Sequence, residues 1–329
     1  MSSSASVPPV AVRMWKSSSN SRRTCGPVNF SSGLFVHEKT DLEIPDVIPI
    51  VIQRTYQPGD GAVRDFGVGT NHPYDMTLAR VGASYFGWQE ANLFLPDGGR
   101  IHFQLIQPGP NWPLDWAWEH RETPTAFFKA RLAMDPASLL MHETLRDGTK
   151  YLFEGHTGRL LEQRDRYGNR LIISRDQTSG PEDPMGALIT RVTSPNGRTV
   201  DFVYDNDNRI GQVIDQLGRT VTYNYDASSR LVKVTDAAGQ ATEYTYDAAG
   251  RMATIKDPRG IVWLTNEYYT TGPDTGRVKK QTLANPSLTY QLAYTNDAQL
   301  TAPTCQRLVD ARPIQIARRR RADNVTHHI

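Results

Sequence analysis

Cysteine is nearly missing from the 329-residue chain, with Cys25 and Cys305 the whole complement. Two thiols that far apart set up neither a disulfide framework nor a cysteine metal site. Long apolar runs are missing as well. No stretch of about 18 apolar residues occurs, so the sequence offers no transmembrane helix. Neither sign of charge dominates: 37 Lys and Arg stand against 35 Asp and Glu, a formal net charge of +2. That balance gives no electrostatic pull toward nucleic acid or a membrane surface. Helical periodicity is scarce, and Leu132 to Leu145 is the one stretch that fits a short helix. The motifs H-E-x-x-H, G-x-S-x-G, G-x-G-x-x-G and the P-loop are all absent, and the eight His have no cysteine partners. The sequence therefore offers no catalytic residue, no cofactor-binding residue and no metal ligand, and the expectation is a protein that is not an enzyme.

What the chain does contain is a repeat. Gly197, Gly218, Gly239 and Gly260 stand 21 residues apart. Arg209, Arg230 and Arg251 keep the same step, as do the pairs Tyr204-Asp205, Tyr225-Asp226 and Tyr246-Asp247. A period in the low twenties with recurring turn residues predicts an array of small supersecondary units. The first turn of each unit reads Asp215-Gln216-Leu217-Gly218, Asp236-Ala237-Ala238-Gly239 and Asp257-Pro258-Arg259-Gly260, with Asp165-Arg166-Tyr167-Gly168 as an earlier copy. These are type I turn preferences, so the aspartate column is a set of turn acceptors rather than a row of acids. The following strand alternates: Val200, Phe202 and Tyr204 on one face, Thr199, Asp201 and Val203 on the other, and likewise in the next two copies. Tyr-Asp-x-x-x-Arg then turns the chain back. The expected fold is mainly β, an antiparallel meander of two strands per unit, each unit adding about 10 Å of sheet.

The pattern G-R-x(5)-D-x-x-G-R-x(3)-Y-x-Y-D, carried here by Arg230 to Asp236, Gly239, Tyr244, Tyr246 and Asp247, resembles the YD repeat of the RHS proteins. A second resemblance lies upstream. Gly26 to Leu78, with Ile48 to Tyr56 as a strand-like run and Phe66-Gly67-Val68-Gly69-Thr70-Asn71-His72-Pro73-Tyr74 after it, resembles the domain that precedes YD repeats in that family. The resemblance implies a β-spiral that winds, in full-length members, into a hollow shell around a C-terminal toxin domain used against other cells. It implies the rest of the shell or a toxin domain as partners. It also implies a secreted or cell-surface location, reached from the cytoplasm without a recognisable signal peptide. Asp257-Pro258-Arg259-Gly260 is similar to half of the paired D-P-x-G signature with which such shells release their C-terminal domain. The other half is absent and the residues are in phase with the other turns, so the turn role is retained.

The remaining chain divides by composition. Residues 1–25 are Ser-rich and read as a disordered segment. Residues 26–150 form an N-terminal β-rich module with two Asp-Gly hairpin signals, at Asp97-Gly98 and Asp147-Gly148. Trp112, Trp116 and Trp118 read as cover for a sheet edge. Residues 151–294 carry the repeats, interrupted by an insertion at residues 179–186, and residues 295–329 read as a disordered basic tail ending in Arg318 to Arg321. With so few repeats the chain reads as a truncated or fragmentary member of the family. The leading expectation is a structural shell segment. The alternative is a carbohydrate- or cell-surface-binding protein whose tyrosine ladder stacks on glycans. Two aromatic rings per unit on one face, together with an unpaired last strand at Thr289 to Tyr294, further predict self-association of the isolated chain.

Overall fold

A computed structural model describes residues 28–29, 32–81, 89–107, 109–111, 116–135, 137–155, 157–176, 188–284 and 288–294, and the backbone of 303–307. Every regular element among the described residues is a β-strand. The described residues form two compact units, one within His37–Thr242 and the other made of those within Arg23–Val36 and Glu243–Ile329.

The larger unit contains a long antiparallel meander. It starts at Thr77–Val81 and Glu90–Phe94, and each later strand pairs with the one before it through Leu231–Thr235. The repeat seen in the sequence is thus the late part of a sheet that begins much earlier. Both Asp-Gly hairpins form as expected: Glu90–Phe94 pairs with Arg100–Gln107, and Met141–Thr144 with Lys150–Phe153. The short helix expected at Leu132 to Leu145 does not form. Arg131–Met134 and Met141–Thr144 are paired strands instead, turning at Asp135, whose carboxylate accepts from Ala137 N–H and Ser138 Oγ–H. Leu132, Met141, Glu143 and Leu145 are buried on an alternating pattern, so period two prevails over the helical spacing. Trp118 is fully buried in the strand Ala117–Glu119, and Trp116 packs 6.1 Å from it. Cys25 and Trp112, the insertion at 179–186 and the Ser-rich start lie outside the described residues.

A second layer lies within the same unit. His37–Ile44 pairs with Ile50–Tyr56, which pairs with Thr70–Asn71. This small sheet and the segment after it cover the aromatic face of the repeats at Phe202 and Tyr223. Asp41 holds Arg54 through two hydrogen bonds of 2.5 and 2.9 Å and accepts a third, of 3.0 Å, from Tyr223 Oη–H. Phe66 packs 4.7 Å from the Tyr223 ring. Asp46 accepts from Ser194 Oγ–H and Asn196 Nδ2–H, tying the hairpin to the turn at Gly197. Val200, Phe202, Val221 and Tyr223 are consequently buried. At these two repeats the aromatic face is covered rather than open.

In the smaller unit, Met252–Lys256, Val262–Tyr268, Val278–Leu283 and Thr289–Tyr294 pair in order. The expectation that the meander stops at an unpaired Tyr294 is corrected. Pro303–Arg307 pairs antiparallel with Thr289–Tyr294 over five positions, Tyr290↔Arg307 to Tyr294↔Pro303, so part of the expected tail is a strand. Composition misled here, because an edge strand needs backbone groups and not aromatic side chains. In this unit Gly33 O accepts from Val278 N–H at 3.0 Å and from Tyr294 Oη–H at 3.1 Å.

The first turns behave as their residues dictate. Gly218 N–H donates to Asp215 O at 2.9 Å, and Asp215 Oδ1 accepts from the N–H groups of Leu217 and Arg219 at 2.9 and 2.8 Å. Gly218 sits at φ +77°, the left-handed position that closes a three-residue hairpin loop. A Cβ there meets nothing within 4 Å, so its cost is backbone strain alone. Gly218→Val is expected to lower unfolding free energy by about 1–3 kcal/mol. Chemical denaturation checks this, and an unchanged midpoint would contradict it.

Candidate functional site

The sequence singled out Tyr204, Asp205, Arg209 and their repeats, and the structure shows why those residue types recur. In the second turn Asp205 Oδ1 accepts from the N–H groups of Asp207 and Arg209, at 2.9 and 3.0 Å. Asp205 Oδ2 accepts from Arg209 Nε–H at 2.9 Å. Asp226 with Arg230 and Asp247 with Arg251 repeat the arrangement, each Nε–H···Oδ2 bond at 2.8 Å. Burial alone pushes these three carboxyls up. The arginine hydrogen bond and the turn N–H groups outweigh it and hold each below the usual aspartate range.

The tyrosine belongs to the latch of the preceding turn. Arg209 Cζ lies 4.6 Å from the Tyr225 ring centroid, and Tyr225 Oη–H donates to Ile210 O at 2.7 Å. Arg251 stacks on Tyr268 at 4.6 Å, and Tyr268 Oη–H donates to Met252 O at 2.7 Å. Arg277 stacks on Tyr294 at 5.0 Å, and Tyr294 Oη–H donates to Val278 O at 2.8 Å. Each tyrosine thus clamps the arginine one repeat back and accounts for the carbonyl just after it. Cation–π contact adds about 0.5–2 kcal/mol and the hydroxyl bond about 0.5–1.5 kcal/mol. Tyr225→Phe is expected to cost about 1 kcal/mol, and Arg209→Met about twice that, in denaturation midpoints.

Sequence reasoning missed two parts of this motif. A β-bulge falls opposite four of the motif tyrosines: Tyr204 pairs with Ile210 while Val203 pairs with Gln212, and the same shift recurs at Tyr225, Tyr246 and Tyr268, whereas Tyr294 pairs with Pro303 in unbroken register. The extra residue re-aims the strand end and places the ring over the previous turn. The left-handed position of the second turn is filled by Asn208 at φ +57° and Ser229 at φ +58° as well as by Gly250, so no glycine column marks it.

The ladder also has a variant copy. Leu188 stands 21 residues before Arg209, in the place of an arginine, and Arg175 stands before Asp176 in the place of a tyrosine. Asp176 Oδ1 accepts from Leu188 N–H at 3.0 Å, as the other turn aspartates accept. Arg175 Nη2–H reaches Leu160 O at 3.3 Å and Tyr74 O at 3.4 Å, the former replacing the tyrosine hydroxyl. Asp65, His72 and Asp75 gather nearby. His72 Nδ1 takes the Tyr74 N–H at 3.3 Å, which leaves Nε2–H to donate to Asp65 Oδ2 at 2.9 Å. Both ring nitrogens are therefore used in holding the segment. Burial lowers the Arg175 pKa, with Arg159 acting in the same direction. Burial also raises Asp75, and it raises the Tyr204 hydroxyl.

Gly197, Gly218, Gly239 and Gly260 all lie at the left-handed turn position, with φ between +77° and +82°. The structure therefore brings the sequence-selected residues together as latches along the turns, not around one cavity.

RHS Repeat matches residues 211–241 and 225–262, and a domain of unknown function, DUF6531, matches residues 25–103. The chain carries RHS repeats. No curated protein matches it. Among solved structures, a TcdB2-TccC3 crystal structure is 14% identical over 80% of this chain and 16% of that one, at a TM-score of 0.35. The Photorhabdus luminescens Tc holotoxin pore with a TccC3 mutation is 10% identical over 85% of this chain and 22% of that one, at 0.31. This RHS protein thus spans less than a quarter of the length of either structure.

Proposed function

We propose that this RHS protein is a non-catalytic structural segment of a shell that encloses a C-terminal toxin domain and delivers it to other cells. The observation that carries the reading is the latch itself. Arg–Asp within a turn and Tyr over the previous Arg recur at Arg209, Arg251 and Arg277, which gives a sheet that extends by about 10 Å per repeat without new design at each step. Regular, extensible walls are what an enclosure needs. Export of the assembled protein follows from this role.

The glycan-binding alternative asks for tyrosine rings that face solvent. Tyr223 and Tyr244 are buried, Tyr225 and Tyr268 lie under arginines, and Tyr167 is the one exposed tyrosine among the described residues. That inventory favours the wall.

The test is co-expression with the polypeptide encoded immediately downstream, followed by copurification and limited proteolysis. A copurifying domain that is cleaved much more slowly with the RHS protein than alone is the expected result. Equal cleavage with and without it would contradict the reading. Hydrolase, nuclease and transferase assays of the purified chain are expected to stay at blank levels. A glycan panel that returns a specific, saturable ligand would favour the alternative.

A further inference from the structure

One buried acid has no role in the latches. Glu143 lies in the strand Met141–Thr144, 1% exposed, and neither carboxyl oxygen has a hydrogen-bond partner among the described residues. Its cross-strand neighbours are Leu132 on one side and Tyr151 on the other. Leu132 pairs in turn with Trp118, so the acid sits in a row of buried apolar and aromatic side chains. Unpaired carboxylates are very costly in such places, whereas a neutral carboxylic acid costs about as much as any unpaired polar group.

The charged groups nearby are turned away. Arg131 and Lys150 both lie opposite Thr144, on the other face of the sheet, and Glu119 lies opposite Arg131 on that same face. On the buried face Tyr151 is the titratable neighbour. Tyr151 also lines a cavity of about 70 Å³ beneath the His37–Tyr56 hairpin. The titratable groups of that opposite layer around the cavity are Glu43, which is exposed, and Tyr74, which is buried.

We propose that Glu143 is a proton latch: as a neutral acid it lets the strands Arg131–Met134, Met141–Thr144 and Lys150–Phe153 pack, and its ionisation loosens them. Burial, with no charged partner to offset it, pushes the carboxyl up to about 8 from an ordinary 4.5. The folded protein therefore keeps a proton that the unfolded chain has already lost. Stability from this group is complete below the unfolded value of 4.5, falls as pH rises, and is gone once pH passes about 8. The device is a property of the chain's own core and stands whether or not the wall encloses a toxin.

The experiment compares the full chain with Glu143→Gln, which keeps shape and polarity but has no proton to lose. Unfolding equilibria are measured by urea from pH 4 to pH 9.5. The ratio of the wild-type to the variant unfolding constant is expected to rise about tenfold per pH unit above the ordinary glutamate value. It should level off near pH 8, on the order of a thousandfold higher. Parallel stability curves across that range would overturn the proposal. Because the variant has to fold for this comparison, a second reading uses the wild-type chain alone. Carboxyl-carbon NMR of glutamate-labelled protein should show one resonance titrating near pH 8, and a spectrum in which every glutamate titrates near its ordinary value would overturn the latch.

Discussion

Arg54→Met is expected to cost about 3–5 kcal/mol of unfolding free energy. The guanidinium and its partner Asp41 are each 3% exposed in their side chains, at 2.5 Å from one another. Removing the cation leaves a carboxylate with no charge partner in a dry layer between the hairpin and the repeats. Arg54 also lies 5.8 Å from the Tyr223 ring, so a cation–π contact goes with it. The pair is not itself a large net source of stability, since desolvation of two ions offsets most of their attraction. The double replacement Asp41→Leu with Arg54→Met is therefore expected to recover most of the loss, short of the hydrogen bond that Tyr223 makes to Asp41. Denaturation midpoints of the three variants check this. A double variant as weak as Arg54→Met alone would show that the buried charge is not the cause.

Gly67→Val is the second large effect, and it contrasts with Gly218→Val. Gly67 lies at φ +85°, and a Cβ there would overlap Ser229 O and come within 3.0 Å of the Tyr225 ring. The next residue, Val68, donates its N–H to the same Ser229 carbonyl at 2.8 Å. One residue before it, Phe66 is fully buried against Tyr223, and Asp65 O accepts from Ile210 N–H at 2.7 Å. A side chain at Gly67 must therefore push this segment off the Tyr225 latch. Backbone strain and overpacking together amount to about 2–6 kcal/mol, against about 1–3 kcal/mol of strain at Gly218. Equal losses at the two glycines, measured in the same denaturant series, would show that Gly67 has no special contact with the repeats.

The strands were legible because their alternation is strict. Thr199–Tyr204, Thr220–Tyr225 and Ala241–Tyr246 begin and end where the period placed them, and the fourth, which the same period places at 261–266, runs over Val262–Tyr268. The aspartate of each turn was also legible, since an acceptor with glycine three residues on has few other uses. The tyrosine's job was not. It reaches an arginine 16 or 17 residues back, as from Tyr225 to Arg209 and from Tyr268 to Arg251, and nothing in a linear pattern tells a ring that clamps a turn from a ring that fills a core. The cover over the aromatic face was hidden for a related reason: Asp41, Arg54 and Phe66 meet Tyr223 from more than 150 positions away. The strand Pro303–Arg307 has no apolar alternation to announce it, and it exists through backbone pairing with Thr289–Tyr294.

The upstream hairpin and the RHS repeats at Phe202 and Tyr223 share one core within His37–Thr242. Amide hydrogen exchange on the intact chain tests it most directly, read by mass spectrometry for wild type and Arg54→Met. Peptides covering Ile50–Tyr56 and Thr220–Tyr225 are expected to be protected to the same degree in the wild type and to lose protection together in the variant. Full protection of Thr220–Tyr225 alongside rapid exchange of Ile50–Tyr56 would contradict it.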